Sequence, residues 1–165
     1  MPSHSSPHSL KPSEERNQRG THVRKGMKPE DLGDLLTTPR VAILATRYAD
    51  GTMLLAPVWH EWTDGGFTIV IDGNDAKMRN VLRDRRVSVV VAEDEPPYRG
   101  IEVRGEAKLA DMDVAAALGR LARRYLGNRD VDGYLERMRE WTQGAAVIRV
   151  EPGLLRAWDF ADEDW

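Results

Sequence analysis

Large apolar side chains are nearly absent from residues 1–26 and then recur with a period that changes along the chain. The first stretch reads as a flexible basic leader, with folding expected to begin near Pro29. Pro29-Glu-Asp-Leu-Gly-Asp-Leu-Leu opens with a proline and two acids, as a helix N-terminus does. Leu32, Leu35 and Leu36 share one helical face, and Pro39 ends it. Val41 to Thr46 is a short apolar run and predicts a buried strand. Asp50-Gly51 predicts a tight turn into a second strand, Thr52 to Trp62. Pro57 lies inside that strand and cannot donate to a ladder, so an edge or a bulge is expected there. Asp64-Gly65-Gly66 predicts another hairpin into Phe67 to Ile71, completing a three-stranded antiparallel meander.

The pattern then shifts. Asp75 to Asp84 predicts a short helix, capped by Asp75, with Met78, Val81 and Leu82 as its apolar face. Val87 to Ala92 is a β-branched run and predicts a central strand. Glu93 to Pro97 is an acidic, proline-bearing loop. Tyr98 to Leu109 alternates, with Ile101, Val103 and Ala107 on one side and Glu102, Arg104 and Lys108 on the other. Asp111 to Leu126 predicts the strongest helix, with Arg123 and Arg124 near its end and Gly127 just after it. Val131 to Trp141 predicts another. Ala145 to Val150 and Leu154 to Trp158 predict two closing strands around a Pro152-Gly153 turn. The sum is mostly β with flanking helices, an α+β chain of about seven largely antiparallel strands. Residues 27–160 form one domain, followed by an acidic tail, 161–165.

Composition narrows the possible chemistry. A chain of 165 residues suits a single core. No apolar run approaches the ~20 residues that span a bilayer. Met1 to Leu10 lacks the apolar segment of a signal peptide, so a cytoplasmic location is expected. The chain has no cysteine, which removes disulfides, thiolate nucleophiles and cysteine-ligated metals. The net charge of −3 gives no reason to expect a nucleic-acid partner. Charge is uneven, however: residues 1–28 carry six Lys and Arg against two acids, and residues 159–165 are acidic. Two solvated tails, or a basic arm folded onto an acidic surface, both fit this.

Three of the four histidines lie in the leader, leaving His60 between Trp59 and Glu61 as a structural or a catalytic residue. No zinc-ligand spacing, nucleophile elbow, GxxxxGK[ST] or GxGxxG is present. What remains is a cluster of Lys77, Arg79, Arg83, Arg85 and Arg86 at a helix that follows a strand. It is either an anion site beside free backbone N–H groups or a solvated basic face paired with Asp75 and Asp84. Trp59, Trp62, Tyr98 and Trp158 are either core and interface packing or a ligand-stacking set.

Several segments in this order carry a resemblance: Val41-Ala-Ile-Leu-Ala-Thr, Asp50-Gly51, Ala56-Pro-Val-Trp, and Lys77-Met-Arg-Asn-Val-Leu-Arg-Asp-Arg-Arg-Val-Ser. Pro96-Pro-Tyr-Arg-Gly-Ile-Glu-Val-Arg-Gly and Arg156-Ala-Trp-Asp complete it. Together they resemble the pyridoxamine-phosphate-oxidase-like split-barrel family, in its branch that uses flavin or the deazaflavin coenzyme F420. The resemblance implies an antiparallel split β-barrel of six to seven strands that forms a homodimer with the cofactor at the subunit interface. It implies no nucleic-acid and no membrane partner.

In such a fold the cofactor ring is expected along Leu54, Ala56, Pro57, Val58 and Trp59. The phosphate is expected near Val70, Ile71 and Asp72, where Lys77 matches the family's phosphate-contacting lysine and Arg79 and Asn80 follow. Tyr98 and Arg99 stand where a partner chain completes the pocket. Many relatives carry Ser-Arg-Lys where this chain has Asp75-Ala76-Lys77, so an acid and a methyl group replace two phosphate partners. That departure favours F420, whose glutamylated tail can seek other cations such as Arg83, with FMN as the alternative. The implied activity is hydride transfer between the cofactor and a small conjugated or unsaturated substrate. Solvent, Tyr98 or His60 would supply a proton. The other reading is a non-catalytic binder of a flavin, deazaflavin or haem-related ligand.

Overall fold

The computed structural model describes residues 27–161. The leader, and the acidic tail beyond Ala161, lie outside the described residues. Seven strands are present: β1 (Ala42–Arg47), β2 (Met53–Val58), β3 (Glu61–Thr63), β4 (Gly66–Asp72), β5 (Arg86–Ala92), β6 (Arg99–Leu109) and β7 (Ala145–Asp159). Four helices flank them: α1 (Ala76–Arg83), α2 (Val114–Leu126), α3 (Val131–Arg137) and α4 (Arg139–Gly144). The strands form one sheet in the order β2-β1-β5-β6-β7-β4-β3, and every pairing is antiparallel.

That order forces the shape. The two edge strands, β2 and β3, are joined by Trp59 and His60 alone. In a flat sheet six strand spacings would hold them roughly 29 Å apart. The three Cα steps from Val58 to Glu61 reach only about 11 Å. The sheet therefore curls into a half-barrel with a seam between its own edges. Its concave face is the core, filled by Leu44, Phe67, Ile69, Val89, Ile101 and Ile148.

The structure corrects several expectations. Thr52 to Trp62 is not one strand, so the meander does not exist. The backbone leaves the sheet at Trp59-His60, where the Tyr125 hydroxyl accepts from the His60 N–H (3.1 Å) and donates to the Arg40 carbonyl (2.6 Å). Pro57 does lie on an edge strand, as expected. Pro152-Gly153 does not turn the chain. It forms a bulge within the continuous β7, where the β6 register shifts between Arg104 and Gly105. The strands approach closely there: a Cβ on Gly105 would lie 2.0 Å from the Glu151 carbonyl oxygen.

The Pro29 segment makes a single 3-10 turn, Pro29–Leu32, because Gly33 takes φ +59° and ends it. Leu32, Leu35 and Leu36 are buried all the same. α2 starts at Val114 rather than at Asp111, capped by Asp113, whose side chain accepts from the Ala116 N–H (3.0 Å). The helix expected over Val131 to Trp141 breaks at Met138 into α3 and α4.

On α1, Leu82 faces outward at 61% exposure and Asn80 is buried in its place. Asn80 meets its polar partners inside: its Nδ2 donates to Thr46 Oγ1 (3.1 Å), and its Oδ1 accepts from Arg83 (3.0 Å). Asn80→Ala leaves the Thr46 hydroxyl buried without that bond. It is expected to cost about 1–3 kcal/mol, read as a lower urea midpoint at unchanged slope.

Candidate functional site

The open edge of β2 offers free backbone groups. The Tyr48 N–H donates to the Thr52 carbonyl (2.8 Å) and closes the β1–β2 hairpin. Counting from that pair, Leu54, Ala56 and Val58 exchange ladder bonds with Thr46, Leu44 and Ala42. The N–H and C=O of Leu55 and the C=O of Pro57 then point away from the sheet. Pro57 sits where its missing N–H leaves no gap in the ladder. Ala56 and Val58 are buried toward the core, with Leu54 half-buried beside them. Ile43, Met53, Leu55 and Pro57 form an exposed apolar outer face, Leu55 at 64%. An uncovered face of this kind marks a place where something binds.

At the seam end of β2, Trp59 stacks on Tyr125, with centroids 5.0 Å apart and planes at 4°, and Tyr134 tilts against it at 5.9 Å. His60 is fully buried, edge-on to Phe67 at 5.1 Å, and neither ring nitrogen has a hydrogen-bond partner. Burial, helped by the positive charge of Arg124, pushes its pKa down to about 4. The imidazole is neutral at pH 7, so this enclosed ring is not the imidazolium acid that a proton donor would need to be there. Tyr125 ties the seam together, yet nothing in its sequence context singles it out: it is one half-buried position near the end of α2.

At the other end of β2, Leu54 lies opposite Thr46, and Thr46 bonds Asn80 of α1. β4 ends nearby with half-buried Val70, buried Ile71 and then Asp72. Asp72 accepts from the Asn74 N–H (2.8 Å) and from Trp141 Nε1 (2.9 Å), which fastens α4 to this corner. Asp75 caps α1 by accepting from the Lys77 N–H (2.9 Å). The Lys77 ammonium donates to the other Asp75 oxygen. Partial burial alone would raise the Asp75 carboxyl, but its bonds to Lys77 hold it below the usual range. Arg79 is exposed and donates to the Asn74 carbonyl (2.6 Å).

The structure thus gathers Leu54, Asp72, Lys77, Arg79 and Asn80 at one end of the barrel and leaves Trp59 at the other. Tyr98 and Arg99 open β6, whose far end, Leu109, lies beside the corner that holds Asp72. Ten residues of strand, about 33 Å if extended, lie between Arg99 and Leu109. Arg99 is held by its own chain: it donates to Glu93 (2.9 and 2.5 Å), Asp34 (2.9 Å) and the Leu32 carbonyl (2.9 Å). Glu93 also accepts from Arg40 (2.9 Å). This network pins the first turn to the acidic loop. No cluster of three or more metal-ligating side chains occurs among the described residues. No helix among them is long and apolar enough to cross a membrane.

The family model for pyridoxamine 5'-phosphate oxidase matches residues 29–159. Solved structures share the fold. The conserved hypothetical protein Rv2991 from Mycobacterium tuberculosis is 24% identical, with TM-score 0.66, over 81% of this chain and 86% of its own. An F420 reductase is 26% identical, with TM-score 0.66, over 78% of this chain and 98% of its own. HutZ, the haem storage protein from Vibrio cholerae, is 18% identical, with TM-score 0.58, over 77% of this chain and 92% of its own. No curated protein matches the sequence.

Proposed function

This chain belongs to the pyridoxamine 5'-phosphate oxidase family, and we propose that it is a homodimeric oxidoreductase using a deazaflavin or flavin, with F420 favoured over FMN. The observation that carries this reading is the open edge of β2. A flat ring with polar atoms on one rim finds there the backbone N–H and C=O of Leu55 and the C=O of Pro57. The likeness to an F420 reductase along nearly all of that protein's length supports it.

When bound, the cofactor would supply hydride chemistry toward a small conjugated or unsaturated substrate. The chain's own part is to bind, orient and keep water out. The backbone of Leu54 to Trp59 would hold the ring in register. The outer apolar face, Ile43, Met53, Leu55 and Pro57, would be closed by a second copy. That copy's Tyr98 and Arg99 segment would complete the groove that one chain leaves open. Lys77 and Arg79 would meet the phosphate. Lys77 fits this role only by leaving Asp75, so the acid competes with the ligand for the ammonium. Titrating the full chain with F420 and with FMN, and following absorbance, tests the reading. Binding of neither would end it.

Asp75→Ser keeps a capping oxygen for α1 and removes the competing charge. It is expected to tighten phosphate-bearing cofactors by about 10-fold, equivalent to about 1.4 kcal/mol, with FMN gaining at least as much as F420. An unchanged dissociation constant would show that Asp75 does not limit binding. The Lys77–Asp75 pair also favours a second reading, a non-catalytic carrier of a flavin, deazaflavin or haem-related ligand. Tight binding without turnover of quinones, enones or biliverdin would select that reading.

A further inference from the structure

Two carboxylates, Asp84 at the end of α1 and Glu102 on β6, each face two guanidinium groups. Asp84 accepts two bonds from Arg86 (2.9 and 2.9 Å) and lies 4.0 Å from Arg47 Nε. Glu102 accepts from Arg104 (2.7 Å), and Arg156 lies 3.2 Å from its other oxygen. Glu106 adds a third carboxylate, opposite Arg86 on the next strand, so four guanidinium groups face three carboxylates and one positive charge is left over. The strand register sharpens this. Ala45 lies opposite Ser88, and continuing that pairing sets Arg47 opposite Arg86. Like charges directly opposed across a sheet are unfavourable. Arg104 lies opposite Ser88 on the next strand.

The three arginines surround a cleft of about 360 Å³ whose lining includes Met53, Ser88 and a single acid, Glu106. All three side chains are more than half exposed. Each guanidinium has five N–H donors, and Asp84 and Glu102 engage only some of them. Planar forks of this kind match carboxylate and phosphate oxygens in pairs.

We propose that this cleft is an oxyanion site for a ligand carrying several carboxylates or phosphates, separate from the one at Lys77. Lys77 sits in the first turn of α1, a helix about 12 Å long. The cleft lies at its other end, where Arg83 donates to the Arg47 carbonyl. A second positive site at that spacing takes either the far anionic end of an elongated bound cofactor or a free polyanionic ligand. The first source rests on the proposed function, and the second does not.

The test titrates the full chain with inorganic tripolyphosphate and with triglutamate, each with and without saturating F420. The variant is Arg47→Gln with Arg104→Gln, which keeps the Arg86–Asp84 and Arg156–Glu102 pairs. Wild type is expected to bind at least one probe, and the double variant to bind it 10-fold or more weakly at an unchanged melting midpoint. Displacement of the probe by F420 identifies the cofactor as the source. Probe bound alongside F420 identifies a separate ligand. The site is overturned if neither probe binds, if the double variant binds equally well, or if Lys77→Ala rather than the arginine variant removes binding. If a probe binds and neither F420 nor FMN does, the proposed function falls and the site stands.

Discussion

Lys77→Ala is expected to weaken F420 binding about 30-fold, close to 2 kcal/mol for a lost charge-assisted bond to phosphate, while the fold persists. In the free protein the Lys77 ammonium touches Asp75 and is partly exposed. Such a partly screened pair contributes under about 1 kcal/mol to stability. The α1 cap does not depend on it either, because Asp75 bonds the Lys77 backbone N–H, which alanine retains. Binding and folding should therefore separate: a large change in the dissociation constant and a small one in the unfolding midpoint. Combining Lys77→Ala with Asp75→Ser sharpens the test. With no lysine to release, the serine should no longer tighten binding. A gain that survives the loss of Lys77 would mean that Asp75 repels the ligand directly.

Acid should loosen the protein between pH 6.5 and pH 4, by about 3 kcal/mol from His60 alone. His60 has a folded pKa of about 4, depressed by burial and by Arg124, against an ordinary value of 6.5. The unfolded chain takes up this proton as pH falls through 6.5, and the folded chain does so only near pH 4. Stability from the neutral ring is complete above pH 6.5 and declines as pH falls toward 4. Below that both states are protonated and His60 adds no further loss. The carboxylates with depressed values, Asp34, Asp75, Asp84 and Glu93, act from about pH 4.5 downward. The upper window therefore belongs to histidine. Urea unfolding at pH 7 and pH 5 should read about 2 kcal/mol of this loss. His60→Leu should flatten the curve across this window, and a persistent slope would assign the loss elsewhere.

Both predictions concern residues whose identity was plain in the sequence and whose surroundings were not. Lys77 stood out because it follows a strand and opens a helix, and its motif matched a known family. That its ammonium is engaged by Asp75 follows from a capping geometry two residues long, which the Asp75 cap already suggested. His60 read as an ordinary strand position. Its burial comes from the seam, where Tyr125 from α2 takes over the backbone bonds that a partner strand would have made.

The periodicity of apolar residues determined most of the elements, because burial on one face is a local property of a helix or strand. It located α1, β1, β4, β5 and β6, the cap at Asp75 and the turn at Asp64-Gly65. The order of short motifs determined the family. Tertiary structure alone decided that β2 and β3 are opposite edges of one sheet, since two residues join them and only a curled barrel lets two residues reach. It alone joined β7 through Pro152-Gly153, because a bulge and a turn share the same residue types. It also brought Arg47 and Arg86, thirty-nine positions apart in the chain, to the same carboxylate, Asp84. Charge on adjacent strands is invisible until register is known, and register depends on every strand at once.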